Sequence, residues 1–169
     1  MVRRRGDRLL AGIQPRSLRH EDQTNRVNEE FRMAADINIY NPDTLGAPLG
    51  MYSHVARVKS ASETVYLAGM LSADKHGNIV GKNDFDAQAI QVFDNLLTAL
   101  ESAEMGWANV VQFTTYLVDS RDIAKFMRYR EVHFPKMFPD CRYPPNTLLI
   151  LDRLVHEEFL MEVQAIAAK

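Results

Sequence analysis

The sequence predicts an α+β fold in which two helices cover one face of a five-stranded sheet. Two stretches repeat apolar residues every three or four positions, the spacing of a half-buried helix. Others alternate apolar and polar residues, or form short β-branched runs, as strands do. Their order, β-β-α-β-α-β-β, fits within 169 residues, which is enough for one domain with its own core and short for two.

Residues 1–33 stand apart. They hold eight Arg, no Lys and five acids, net +3, whereas the rest of the chain is net −5. Apolar periodicity is weak there, so a flexible basic N-terminal extension is expected ahead of a single domain over residues 34–169. The arm reads either as a tail for an anionic surface or as a dispensable extension upstream of a start at Met33, and the second reading is preferred.

Residues 34–50 are rich in Asn, Pro and Gly, and Pro42 and Pro48 deny regular helix, so an irregular lead-in is expected. Residues 52–59 and 64–70 alternate on either side of a turn at Ala61, Ser62 and Glu63, and read as a hairpin. Gly69, near the end of the second of these strands, marks a bulge or a close backbone approach. Asn83 is a good N-cap, with Asp84 and Asp86 placed to complement the helix dipole. Phe85, Ala89, Val92, Phe93, Leu96, Leu97 and Leu100 then form one apolar face, and Gly106 ends the helix. Residues 109–119 are β-branched and aromatic, a central strand. Asp119 or Ser120 caps a second helix whose apolar face carries Ile123, Phe126, Met127 and Phe134 and which ends before Pro135.

Leu148 to Leu151 form a short apolar run closed by Asp152 and Arg153, a buried strand. After a polar reversal at His156 to Glu158, Phe159, Met161, Val163 and Ala165 alternate with Leu160, Glu162, Gln164 and Ile166. One face of this last strand is wholly apolar, and the other carries a single carboxylate, Glu162, in its middle. A charge on an apolar face costs free energy unless it is paired or used. Two readings of Glu162 stand: a carboxylate that positions or activates a water, or a structural ion pair with Arg153 or with an Arg of a neighbouring subunit. The two helices can cover only one face of the sheet, yet the second face is not polar, so a closed homo-oligomer is expected.

Composition excludes more than it assigns. With 25% charged residues, 46% hydrophobic residues and a net charge of −2, nothing points to a polyanionic partner. RNP-type aromatic motifs are absent, so no nucleic-acid partner is expected, and no apolar stretch is long enough to span a bilayer. One cysteine, Cys141, cannot form an internal disulfide and fits a reducing, cytoplasmic setting. The five histidines are scattered without ligand spacing, so no metal site is expected. There is no phosphate-cradling Gly-rich loop and no nucleophile elbow. Tyr52, at the mouth of the first strand, and Asn146, before the buried strand, are further candidates to line a cleft.

With these pieces in place, residues 45–168 resemble the RidA (YjgF) family. The likeness rests on GMYSHVARV, on VYLAG, on FDNLLTALESAEMGWANVVQFTTYLVD, on YREVHF and on DRL followed by EVQAIA, in that order and spacing. It implies a chorismate-mutase-like fold, a homotrimer with three clefts between subunits, and hydrolysis of reactive enamines or imines to ketoacids and ammonia without metal or organic cofactor. Carried over residue by residue, the family's Tyr falls on Tyr52 and its water-orienting Glu on Glu162, with one extra residue between Arg153 and that Glu. The family's carboxylate-clamping Arg falls on Asn146, its second-strand Ser on Ala68, its Cys on Leu148 and its second-helix Asn on Met127. A neutral amide cannot replace a bidentate guanidinium, so the resemblance does not extend to 2-aminoacrylate as substrate. Arg142, four residues before Asn146, is the alternative source of that charge. A non-catalytic trimer that binds a small metabolite in the same cleft is the alternative to a hydrolase.

Overall fold

The computed structural model describes residues 35–169; the extension read over residues 1–33 lies outside the described residues. The elements are β1 (Asp36–Tyr40), β2 (Val55–Lys59), β3 (Thr64–Met70), α1 (Phe85–Ser102), β4 (Val110–Leu117), α2 (Ile123–Met137), β5 (Asn146–Ile150) and β6 (Met161–Ala168). Strands β3, β6, β4 and β5 form a four-stranded sheet in that order, and β1 and β2 form a separate two-stranded ribbon. Only the β4–β5 pair is parallel, with α2 as the connection a parallel pair needs, so the sheet is mixed.

The expected α+β architecture is found, with three corrections to its parts. First, the lead-in contains β1, because Ile37 and Ile39 alternate with Asp36 and Asn38, a pattern shortened by the Asn and Pro residues that follow it. Second, β2 and β3 do not form a hairpin: β2 pairs with β1, and β3 with β6. The turn between them is taken up elsewhere, since the Ser62 and Glu63 N–H groups both donate to the Lys169 carbonyl, at 2.7 and 3.0 Å. The single five-stranded sheet is therefore a sheet of four and a ribbon of two. Third, both helix ends move. Asn83 sits at φ 59°, so Asp84 becomes the N-cap and accepts from the Asp86 and Ala87 N–H groups. Helix α2 runs through Pro135 to Met137, giving up the one backbone N–H that Pro135 lacks, and the Phe138 N–H closes onto the Phe134 carbonyl at 2.8 Å.

The core lies between the helices and one face of the sheet. Met161, Val163, Ala165 and Ala167 of β6 are buried there, with Phe113 and Leu117 of β4, all beneath α1 and α2. Phe93 of α1 is the hub of this layer. Its ring lies 5.0 Å from Tyr129, 5.7 Å from Phe134, 6.0 Å from Phe113 and 6.5 Å from Phe126, separations at which aromatic pairs attract beyond their burial. One buried amide fixes the approach to β6. Gln88 of α1 donates to the Gly81 and Glu158 carbonyls at 3.1 and 2.7 Å and accepts from the Leu160 N–H at 2.8 Å. Every polar atom of that side chain is used, as burial requires. Among the described residues no helix is long and apolar enough to cross a membrane.

Phe93→Ala empties the middle of this aromatic layer and should cost about 3–5 kcal/mol, read as a fall in the urea midpoint with little change in slope; a loss under 1 kcal/mol would show that the layer closes without it.

Candidate functional site

Glu162 lies on the face of the sheet that the helices leave open. Its register partner on β4 is Tyr116, and Gln164, on the same face, accepts from the Tyr116 hydroxyl at 2.7 Å. The carboxylate is half-buried and, among the described residues, makes no ion pair. Arg153 instead lies 3.7 Å from Glu157 and donates to the Leu154 carbonyl, so it does not form the ion pair with Glu162 that was one expectation. Burial alone pushes the Glu162 carboxyl above the ordinary carboxylate value.

Gly69 makes room for this group. The β3–β6 register shifts between Leu67 and Met70, a bulge, and a Cβ added at Gly69 would overlap the Glu162 carboxylate. Both readings of Gly69, bulge and close approach, hold at once. Ala68, beside it, is exposed.

A second group of candidates lies on the helix side. Asn146 pairs in register with Phe113, and Leu148 with Thr115, which places both on the core face of β5. Leu148 packs against the core. The amide oxygen of Asn146 accepts from the buried Thr115 hydroxyl at 2.9 Å. Met127 of α2 reaches to within 3.8 Å of the position a Cβ would take on Gly50, which brings it beside the segment carrying Tyr52. Tyr52 is half-buried, its ring edge-on to His54 at 5.8 Å, and its hydroxyl accepts from the Leu49 N–H at 3.4 Å. Arg142 belongs to neither group. Its Nε donates to the Asp140 carboxylate at 2.7 Å in a surface pair, and the guanidinium holds the Asp140 carboxyl below its usual value. Within one chain, then, Asn146, Met127 and Tyr52 are placed on the helix side, while Glu162 is on the other face.

Sequence reasoning passed over Arg130. It is 2% exposed on α2, with the Phe134 ring 4.8 Å and the Phe126 ring 5.5 Å from the guanidinium carbon. Its Nε and Nη2 are buried without hydrogen-bond partners. Burial pulls its pKa down to about 10, a shift that Tyr52 and Tyr143 oppose. The signal was present: Arg130 follows Phe126 by four residues and Met127 by three, a cation on an apolar helical face. Among the described residues, no group of three or more His, Cys, Asp or Glu is arranged to hold a metal.

The profile of the endoribonuclease L-PSP family matches residues 44–169. This chain belongs to that family, the RidA (YjgF) family. A RutC family protein of Pyrococcus horikoshii is 33% identical over 123 residues, covering 72% of this chain and 90% of that protein. A RutC family protein of Synechocystis is 29% identical over 122 residues, 72% of this chain and 88% of that one. Among solved structures, a Rid family protein of unknown function from Yersinia pestis superposes with a TM-score of 0.66 at 25% identity, over 81% of this chain and all of that one. The RidA protein of an Antarctic Psychrobacter gives 0.55 at 26% identity, over 78% of this chain and 99% of that one. The two helices on a mixed sheet thus match the fold of these Rid family structures.

Two outcomes follow for this RidA-family site. Gly69→Ala should displace the Glu162 carboxylate, read as a crystallographic shift of that side chain of about 1 Å or more and a modest loss of stability; an unmoved carboxylate would show that the strands part instead. Because the folded-state pKa of Glu162 is raised, folding holds its proton more tightly than the unfolded chain does. Its contribution to stability is therefore full below the ordinary glutamate value and is lost as pH rises through the raised one. Glu162→Gln should remove that part of the stability–pH profile, measured by denaturation from pH 4 to 8.

Proposed function

We propose that this RidA-family chain hydrolyses a reactive imine or enamine to a carbonyl compound and ammonia, in a cleft completed between subunits of a homotrimer. The observation that carries this reading is Glu162, a half-buried carboxylate with no ion-pair partner among the described residues, seated against the bare backbone of Gly69. An unpaired carboxylate with raised proton affinity suits a group that takes and returns a proton. Water adds to the carbon of the protonated imine as one of its protons passes to the Glu162 carboxylate and the π electron pair moves to nitrogen, giving a neutral carbinolamine. The carbinolamine takes that proton back on nitrogen, the C–N bond breaks as the hydroxyl gives its proton to the Glu162 carboxylate and its O–H electron pair forms C=O, and ammonia leaves; an enamine first gains a proton on carbon to become the same protonated imine.

The placement of the candidates supports a shared cleft. Glu162 is on the open face and the Tyr52, Met127 and Asn146 group is on the helix side, so a site using both draws them from different copies. The open face also carries Tyr66, 76% exposed, and Leu149, 40% exposed, apolar surface suited to burial against another subunit. In this reading Tyr52 and Asn146 shape the cleft with Ala68, Leu148 and Met127, no cofactor is used, and the protein acts in the cytoplasm on damaged or stray metabolites. The alternative, a trimer that only binds a small molecule, draws support from Asn146, whose amide oxygen is engaged by Thr115, and from the apolar residues at positions 68, 127 and 148.

Imines generated in situ by an amino-acid oxidase, with semicarbazide as competing trap, separate the two readings. The wild-type protein should divert imine from the trap, and Glu162→Ala should lose that effect by about 10²–10⁴-fold. If neither protein changes trapping for apolar, aromatic or acidic amino acids, the hydrolase reading falls and the binding reading replaces it.

A further inference from the structure

Arg130 is among the largest fully buried side chains, and a buried cation costs free energy unless an anion meets it. Among the described residues no carboxylate does so, and neither Nε nor Nη2 finds any hydrogen-bond acceptor. The rings of Phe134 and Phe126 lie within cation–π range of the guanidinium. Such contacts favour the charge but leave the in-plane N–H donors unmet. Contrast Asp122, also buried, which is met by Lys125 at 2.7 Å.

The identity of the two unmet atoms matters. The Nε–H and one Nη2–H project in parallel from a single edge of the guanidinium, the edge that grips two oxygens of a planar oxyanion at once. We propose that this edge of Arg130 is an anion-binding fork, and that it holds the carboxylate of a small monocarboxylate ligand beside Tyr52 and Tyr143. Both tyrosines are only partly buried, and both lie close enough to act on the Arg130 charge. The other groups weighed for this task are occupied: Asn146 by Thr115 and Arg142 by Asp140. One guanidinium balances one negative charge, which favours a carboxylate over a phosphate dianion. The inference deepens the hydrolase reading, and rests on it for the substrate class: an imine that bears a carboxylate, held from α2 rather than from the loop before β5.

Calorimetric titration of the full chain with 2-oxobutanoate, and with neutral 2-oxobutanamide, tests this. The ketoacid should bind the wild type, the amide should bind at least tenfold more weakly, and Arg130→Gln should lose about 10- to 100-fold in ketoacid affinity. Arg130→Lys keeps the charge without the fork and should lose most of that affinity too. Because no carboxylate among the described residues pairs with the removed charge, Arg130→Gln should melt no more than a few degrees below the wild type; if it fails to fold, Arg130→Lys carries the comparison. Equal ketoacid binding by the wild type and a folded Arg130 variant, or equal binding of acid and amide, overturns the proposal. Imine turnover on the same samples distinguishes it from the hydrolase reading. Arg130-dependent binding without turnover sustains the fork and sinks the hydrolase, whereas turnover of carboxylated imines unchanged in Arg130→Gln sinks the fork and sustains the hydrolase.

Discussion

The burial of one side of β6 beneath α1 and α2 is the interaction on which the rest of this fold depends. Four side chains of alternate parity, Met161, Val163, Ala165 and Ala167, enter the core together. Because the side-chain period of a strand is two, burying them fixes where the other parity points. Glu162, Gln164 and Ile166 are thereby presented on the opposite face. A slip of one residue would bury the carboxylate and expose the core set, so the hydrophobic term that folds the domain is also what aims Glu162.

Charge and polarity inside the fold divide into two kinds. Gln88 and Asp122 are buried and satisfied, the first by three backbone groups and the second by Lys125. Glu162 and Arg130 are not: one lacks an ion-pair partner among the described residues, the other lacks acceptors for two of its donors. Structural polar groups in a protein interior are normally paired. The Ser72 hydroxyl and His54 Nδ1 are likewise buried without partners; Glu162 and Arg130 differ in carrying charge, of opposite sign, on opposite sides of the sheet.

Much of the fold was legible because its signals are local. The apolar stripe of α1, the β-branched run of β4 and the strict alternation of β6 each occupy one contiguous stretch. What was not legible is non-local. That the Ser62–Glu63 turn is held by Lys169, rather than closing a hairpin between β2 and β3, depends on a residue about a hundred positions away. That β1 exists depends on β2 being present to pair with it. The site shows the same division. Glu162 and Gly69 drew notice as a charge on an apolar strand and a glycine inside one, and the structure joins them across the β3–β6 pair. Arg130 went unremarked although it broke the apolar stripe of α2 in the way Glu162 broke that of β6; its lack of acceptors is a property of the folded interior and has no trace in the sequence.

The strand order has a consequence for how the chain must be made. β6 comes after every other strand yet sits between β3 and β4. During vectorial synthesis β3 emerges with no neighbour and waits about a hundred residues for one, a long loop to close before any pairing is rewarded. Until then its hydrogen-bonding edges are open to other nascent chains. β4 and β5 differ, since α2 joins them and they can dock early. While the chain is still being made, the sheet therefore lacks the strand that sits between β3 and β4, and its open edges persist until β6 is made.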